Sequence, residues 1–164
     1  NSGADKVSIN SSAVYDPKLI EESSDKFGNQ CVVLAIDAIE NTTMPCGYEV
    51  TTHGGRKKTN IDALKWAKQG VKNGAGEILL TSMKSDGTKR GYNLKLTNLI
   101  SKNVSVPVIA SGGAGNPKDM VEVVLKAGAS AVLAASIFHY GIHTINSVKN
   151  EMSKNGILVR DCEN

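Results

Sequence analysis

The chain has 164 residues, of which 40% are hydrophobic and 21% charged, and its formal net charge is +3. This length and composition are typical of an ordinary globular protein, and we expect a single domain over residues 1–164. No apolar stretch is long enough to span a membrane. The basic residues are scattered, and the densest group, Arg56-Lys57-Lys58, is predicted to be a solvated loop. Membrane and nucleic-acid partners are therefore not expected.

The three cysteines, Cys31, Cys46 and Cys162, lie far apart and lack the spacing of a metal site. Their odd number indicates a reducing compartment, so we expect a cytoplasmic protein. Cys31 is predicted to be a core strand residue. The three histidines form no triad or metal pattern and are predicted to be structural or loop residues: His53, His139 and His143. We expect neither a metal nor another cofactor.

Strands and helices are predicted to alternate along the chain. The expected strands cover residues 6–10, 31–37, 77–82, 106–110 and 131–135, and each is followed by a helix. The predicted helix starts are at Asp16-Pro17, Asn60, Asn93, Asn116-Pro117 and Thr144. Residues 40–58 interrupt the rhythm, and the run YEVTTH within them alternates like a small hairpin strand. Five consecutive βα units predict a parallel α/β protein.

The chain contains two similar segments, each with a predicted strand and the loop that follows it. Residues 3–12 read GADKVSINSS and residues 128–137 read GASAVLAASI. A βα unit takes about 30 residues, so the separation fits four units, as in an eight-fold βα barrel built from two matching halves. A complete (β/α)8 TIM barrel needs about 250 residues. The sequence therefore predicts an incomplete barrel of about five units.

Glycine-rich and hydroxyl residues follow two consecutive predicted strands late in the chain. The run Ser111-Gly112-Gly113-Ala114-Gly115 lies between a strand and a helix start, where backbone N–H groups can approach an anion. Ala135-Ser136 occupies the same place one unit later, and this pair of loops is the usual phosphate site of a barrel. By the internal repeat, Asn10-Ser11 forms a matching site across the barrel mouth. Two sites imply a substrate with a phosphate at each end.

Charged residues stand at both ends of the predicted strands. Asp37 ends an otherwise apolar strand, where barrel chemistry is found, and this favours general acid/base catalysis. Asp86-Gly87 alone indicates only a turn. Lys6 and Glu77 lie at the opposite, N-terminal ends of their strands, and by position alone they are surface charges.

Several runs, in order along nearly the whole chain, resemble the cyclase subunit of imidazole glycerol phosphate synthase. They include VVLAIDA, YEVTTHGGRK, VPVIASGGAG and AGASAVLAASIFHYG, and the pattern TSM-x-x-DGTK-x-GY is distinctive for that family. The resemblance implies a lyase of histidine biosynthesis that forms a heterodimer with a glutaminase and uses its ammonia. The implied substrate, a phosphoribulosyl-formimino aminoimidazole carboxamide ribotide, carries two phosphates. Its products are imidazole glycerol phosphate and aminoimidazole carboxamide ribotide.

The resemblance also implies a role for residues at matching positions. Asp37 matches one of the family's two acid/base aspartates. The substrate- and phosphate-binding matches are Asn10 and Ser11 at one site, Asp86, Gly87, Gly112, Gly113, Ala135 and Ser136 at the other, and Thr81 and Ser111 at strand ends. Lys6 and Glu77 match the charged ring through which ammonia enters the bottom of the barrel. Asp5 matches a position that faces the glutaminase.

The sequence also departs from the family's pattern. It has no initiator methionine and starts just before what would be the fourth strand, so strands 4 to 8 are expected and strands 1 to 3 are not. The family's other catalytic aspartate would lie on the missing strands. We therefore expect a C-terminal fragment that is inactive alone. Lys84-Ser85 also replaces an expected Asp-Arg pair.

Two alternatives stay open. The sister phosphoribosylformimino isomerase of the same pathway is also a two-phosphate, half-repeat barrel, but it would lack the EVTTHGG hairpin and the TSM loop. The other alternative is a non-catalytic module of five units with open sheet edges.

Overall fold

A computed structural model describes residues 3–160, so the prediction for Cys162 lies outside the described residues. Strands and helices alternate through most of this range. The strands are β1 (Val7–Ile9), β2 (Val32–Glu40), β3 (Tyr48–Thr52), β4 (Lys57–Asp62), β5 (Glu77–Ser82), β6 (Val108–Ser111) and β7 (Ala131–Val132). The helices are α1 (Ser11–Tyr15), α2 (Lys18–Phe27), α3 (Ala63–Lys72), α4 (Leu94–Ser101), α5 (Pro117–Ala127), α6 (Ser136–His139) and α7 (Ile145–Lys154).

The seven strands form one mostly parallel sheet. Strands β1, β2, β5, β6 and β7 are parallel neighbours in chain order. The long strand β2 pairs with β1 through its first half and with the antiparallel hairpin β3–β4 through its second half. Within residues 3–160, β1 and β7 have no strand on their outer sides. The arrangement is an incomplete (β/α) barrel, which confirms the predicted fold class.

The helices bury one face of the sheet, and the other face is more open. On β2, Val32, Leu34 and Ile36 are at most 1% exposed, whereas Asp37 on the opposite face is partly exposed. Two apolar clusters fill the buried side. The first surrounds Leu34 and Trp66, and the second joins the helices that follow β6 and β7. This alternation leaves the open face free to carry polar side chains. Within residues 3–160, no helix is long and apolar enough to cross a bilayer.

Local capping signals predicted several helix starts correctly. The side chain of Asn93 accepts a hydrogen bond from the N–H of Leu96 at 3.0 Å, and α4 follows. Asn116 forms a capping box with Asp119 at the start of α5. Thr144 caps α7 in the same way. Each cap satisfies backbone N–H groups that the first helical turn leaves free, and so fixes the start of the helix.

The predicted helix start at Asn60 is wrong. Asn60 lies in β4 with φ +58°, and α3 is capped by Asp62, which accepts from the N–H of Lys65 at 3.0 Å. The reason is the fully buried Glu49, whose Oε1 accepts from the N–H groups of Thr59 and Asn60 at 3.1 and 2.8 Å. These bonds hold the segment in a strand with an irregular register against β3. Lys57 and Lys58, expected in a loop, are exposed residues of this strand.

Three further predictions differ from the structure. Cys31 is not a core strand residue: it ends a short 3-10 helix, Asn29–Cys31, since its N–H donates to Gly28 at 3.1 Å, and it is partly exposed. The last parallel strand was expected over 131–135 but ends at Val132, because its register with β6 ends at the pair Ala110 and Val132. The short helix α1 was not expected.

Candidate functional site

Polar side chains form a row across three neighbouring strands near their carboxyl ends. Asp37 on β2 pairs in register with Thr81 on β5, and Thr81 pairs with Ser111 on β6. Residues paired in this way share a face of the sheet, here the open face away from the helices. All three are partly exposed. The row therefore brings a carboxylate and two hydroxyls, each singled out from the sequence, onto one surface.

The carboxyl of Asp37 is the titratable group of this row. Burial raises its pKa, a hydrogen bond from the side chain of Asn10 opposes the rise, and the negative charge of Asp86 adds to it. The net direction is upward from the ordinary value. A carboxyl with a raised pKa can hold a proton closer to neutral pH and pass it to a reacting group, as general acid/base catalysis requires.

A pocket of about 110 Å³ lies beside this row, where three loops meet. We call it the three-loop pocket. The loops follow β5, β6 and β7, and the lining residues are Asp86, Gly87, Ser111, Gly112, Gly113, Ala114, Leu133, Ala134, Ala135 and Ser136. All six residues predicted for the second phosphate site line it, together with Ser111. The structure thus brings these residues together, while phosphate binding stays a prediction.

Glycines allow the three loops to approach each other this closely. Gly113 has φ +109°, and a Cβ there would stand 2.1 Å from the carbonyl oxygen of Gly91. The same two residues are joined by a hydrogen bond from the Gly91 N–H to the Gly113 carbonyl at 2.8 Å. Within residues 3–160, the N–H groups of Gly113, Ala135 and Ser136 donate to no other group. Such free N–H groups around a concavity are suited to bind an anion.

Asn10 and Ser11 lie near the opposite edge of the parallel sheet from the three-loop pocket. They follow β1, with β2, β5 and β6 between them and the strand that precedes Ser136, and neither lines the three-loop pocket. The Ser11 hydroxyl accepts a hydrogen bond from the N–H of His53 at 3.3 Å. The Oδ1 atom of Asn10 is buried and has no hydrogen-bond partner within residues 3–160. The two predicted phosphate loops therefore share one end of the strands and are separate.

The opposite end of the sheet carries an ion pair. Lys6, just before β1, pairs with Glu77, the first residue of β5. Glu77 and Thr81 are four residues apart on one strand, so both belong to the open face. Asp5 is exposed next to Lys6 and lines a second pocket of about 270 Å³ together with Phe27 and Cys31. The role of Asp5, Lys6 and Glu77 in ammonia entry and partner binding stays a prediction.

Sequence reasoning missed residues that shape these loops. His53 was expected to be structural or a loop residue; it lies in the hairpin loop, and its N–H contacts Ser11. Tyr92 is 7% exposed and donates from its hydroxyl to the Leu133 carbonyl at 2.9 Å. Asp119 accepts from the N–H of Gly115 at 2.8 Å. Only Asp119 had a local signal, since it stands three residues after the helix cap Asn116.

Within the described residues, no three His, Cys, Asp or Glu side chains cluster closely enough to hold a metal ion. What the site offers instead is a carboxyl with a raised pKa, hydroxyls and free backbone N–H groups at the carboxyl ends of parallel strands. Enzymes of the βα-barrel class carry their active sites at this end. The fold and this site together define the chain as part of an α/β-barrel enzyme.

Comparison with known families shows which family of α/β-barrel enzymes the chain belongs to. The family model described as "Histidine biosynthesis protein" matches residues 1–144. The chain belongs to this family of TIM-barrel enzymes of histidine biosynthesis.

Proposed function

We infer that the chain forms part of the cyclase of imidazole glycerol phosphate synthesis, which takes ammonia from a glutaminase partner. The observation that carries this choice is the layout of the open sheet face. The Lys6–Glu77 ion pair stands at its amino end and Asp37 stands near its carboxyl end. A reaction supplied with ammonia by a partner protein is served by an inlet separate from the substrate's mouth, and a charged pair at the opposite end of the sheet fits such an inlet. The sister isomerase has no use for one.

Asp37 is proposed as an acid/base group of this reaction. Adding ammonia to the substrate, closing the imidazole ring and releasing the second product all require protons to move between nitrogen and oxygen atoms. A partly buried carboxyl with a raised pKa supports that role. Thr81 and Ser111, in the same register row, are placed to contact the substrate beside it.

Two separate loop regions support a substrate with two phosphates. The three-loop pocket offers free N–H groups from Gly113, Ala135 and Ser136. Asn10 and Ser11 follow the edge strand β1 on the other side of Asp37. A substrate anchored at both ends would be stretched across the register row. This layout suits the isomerase as well, so it supports the pathway and does not choose between the two reactions.

Two features support the cyclase over the isomerase. The hairpin β3–β4 pairs with β2 next to Asp37, through the pair Asp37 and Thr51. The loop carrying Asp86-Gly87 forms one wall of the three-loop pocket. Both correspond to sequence runs that resemble the cyclase. Because five parallel strands are described where a barrel has eight, we expect activity only from the completed barrel.

The test compares two variants of the completed barrel enzyme with glutamine and with ammonium salt as nitrogen source. D37N keeps the size of the side chain but removes the carboxyl, so turnover with ammonium salt should fall by about 10²–10⁴. Substrate affinity should change less than turnover, because Asp37 does not line the three-loop pocket that would bind one of the two phosphates. K6A should impair glutamine-driven turnover more than ammonia-driven turnover. Both rates are measured as steady-state product formation.

Matched controls exist in the same chain. Lys84 pairs with Glu40 in a second exposed Lys–Glu pair, and K84A should affect the two nitrogen sources equally. D16N changes an exposed aspartate and should leave turnover unchanged. Near-parental ammonia-driven turnover in D37N would remove Asp37 from the mechanism. Equal losses with both nitrogen sources in K6A would remove the argument for the cyclase.

A further inference from the structure

Tyr92 connects parts of the molecule that the proposed mechanism leaves unexplained. It lies at the end of the loop after β5, and its ring is buried in the second apolar cluster with Ala110 and Ala114. Its hydroxyl donates to the carbonyl of Leu133 at 2.9 Å, a bond between residues 41 positions apart. This bond crosses from the first wall of the three-loop pocket to the third.

The third wall of the pocket is the loop after β7, residues 133–136, and few hydrogen bonds join it to the sheet. Strand β7 ends at Val132, and the bond from the Leu133 N–H to the Ala110 carbonyl at 2.9 Å is the last sheet-type contact before α6 begins at Ser136. Between these points, Ala134 and Ala135 make no backbone N–H donation within residues 3–160. The Tyr92 hydroxyl therefore restrains this wall where the sheet no longer does.

Tyr92 also lies next to the second wall. Burial raises the pKa of its hydroxyl, and the negative charge of Asp119 raises it further, so the hydroxyl stays protonated and remains a donor. Asp119 holds the glycine-rich loop by accepting from the N–H groups of Gly115 and Asn116 at 2.8 and 3.0 Å. One buried side chain thus stands among all three walls.

We propose that Tyr92 is a positioning residue of the three-loop pocket, whose hydroxyl holds the Leu133 carbonyl so that the N–H groups of Ala135 and Ser136 stay in place for a phosphate. This rests on the proposed function, since it takes the pocket to be a phosphate site. Without the hydroxyl, the Leu133 carbonyl would lose the hydrogen bond that joins it to the loop after β5. The N–H groups that follow it would then sample several directions.

The test titrates inorganic phosphate into the 164-residue chain and follows the backbone amide signals of Gly113 and Ser136 by NMR. Y92F keeps the ring and removes one hydrogen bond, so phosphate should bind about five- to ten-fold more weakly. Y140F is the matched control: Tyr140 is 74% exposed and packs its ring against Lys89, and its loss of a hydroxyl should leave the affinity unchanged.

Amide hydrogen exchange separates positioning from a general loss of stability. Y92F should speed exchange at Leu133 and His139, whose N–H groups donate to the carbonyls of Ala110 and Ala135, relative to Val148, which lies buried in α7 and reports on the fold as a whole. An unchanged phosphate affinity in Y92F, or equal acceleration at Leu133 and Val148, would overturn the role of Tyr92. A parent chain with no phosphate response at Gly113 or Ser136 would overturn the phosphate pocket itself, and with it this part of the proposed function.

Discussion

The two copies of the repeated segment, residues 3–12 and 128–137, follow the same backbone course but are stabilised differently. Each runs through an outermost parallel strand, β1 or β7, into a short helix that begins at a serine, Ser11 or Ser136. In the first copy, side chains make the contacts: Ser11 accepts from the His53 N–H, and Asn10 contacts Asp37. In the second copy, the copy's own backbone makes them: the Leu133 carbonyl accepts from the Tyr92 hydroxyl, and the Leu133 N–H donates to Ala110.

This difference matters for what each copy can do. Around the second copy, close backbone approaches leave a small pocket lined by free N–H groups. Around the first copy, His53 in the hairpin loop contacts Ser11, and the side chain of Asn10 contacts the carboxyl of Asp37. A shared local sequence is therefore enough to repeat the strand, the loop and the helix start. The chemistry of each loop depends on which neighbours pack against it.

The largest expected effect comes from the backbone approach at the second copy. In G113A, the added Cβ would meet the Gly91 carbonyl at 2.1 Å, and φ +109° is strained for alanine. We expect the free energy of unfolding to fall by about 2–4 kcal/mol and the pocket to be lost. Chemical denaturation measures the first effect and phosphate titration the second.

The control for this variant is G54A in the hairpin loop. Gly54 also has a positive φ of +64°, but a Cβ there meets nothing within 4 Å. Its cost should be about 1 kcal/mol, from the backbone conformation alone. Equal losses in G113A and G54A would mean that backbone strain, rather than the close approach, limits this loop.

A smaller effect should distinguish the two serines. S11A removes the acceptor of the His53 N–H and should lower the free energy of unfolding by about 0.5–1.5 kcal/mol. The hydroxyl of Ser136 makes no hydrogen bond within residues 3–160, so S136A should change stability by less than about 0.5 kcal/mol. Denaturant melts of both variants test this. A larger loss in S136A would show that the two copies are stabilised alike.

The smallest effect is a pH dependence of the free energy of unfolding, which we expect from Asp37, the carboxyl that contacts Asn10 of the first copy. Because the pKa of Asp37 is raised in the folded chain, its protonation stabilises the fold below about pH 4, and this contribution is lost as the pH rises through the raised pKa. D37N lacks this titration. As the pH rises from about 4 through the raised pKa, the parent loses this contribution and D37N does not. The free energy of unfolding of D37N should therefore increase relative to that of the parent.

Glu49 provides the opposite sign as a control. Burial raises its pKa, but hydrogen bonds from the Asn60 N–H, the Asn41 side chain and the Thr59 N–H, with the charge of Lys58, lower it more, so the net direction is downward. Its contribution is present above about pH 4 and lost as the pH falls through the lowered pKa. E49Q should therefore be less stable than the parent near neutral pH, with the gap closing in acid. The same pH dependence for D37N and E49Q, each relative to the parent, would contradict at least one of the two directions.

The sequence by itself determined the parallel α/β order, the helix starts at Asn93, Asn116 and Thr144, and the placement of Asp37 near the carboxyl end of its strand, although β2 continues to Glu40 rather than ending at Asp37. These features depend on residues a few positions apart: apolar periodicity selects the strand or helix, and a capping side chain bonds an N–H two or three residues away. The grouping of Asp86, Gly113 and Ser136 at one end of the sheet also follows, because the carboxyl ends of parallel strands lie on one side.

Only the tertiary structure decided where β7 ends, that Asn60 lies in a strand, and that Tyr92 holds the loop after β7. Each outcome depends on a partner distant in sequence: the pairing of β7 with β6, the buried carboxylate of Glu49, and the carbonyl of Leu133. A strand continues only while a neighbour offers hydrogen bonds, and a buried polar group draws distant donors to itself. Neither condition is encoded within a local stretch of sequence.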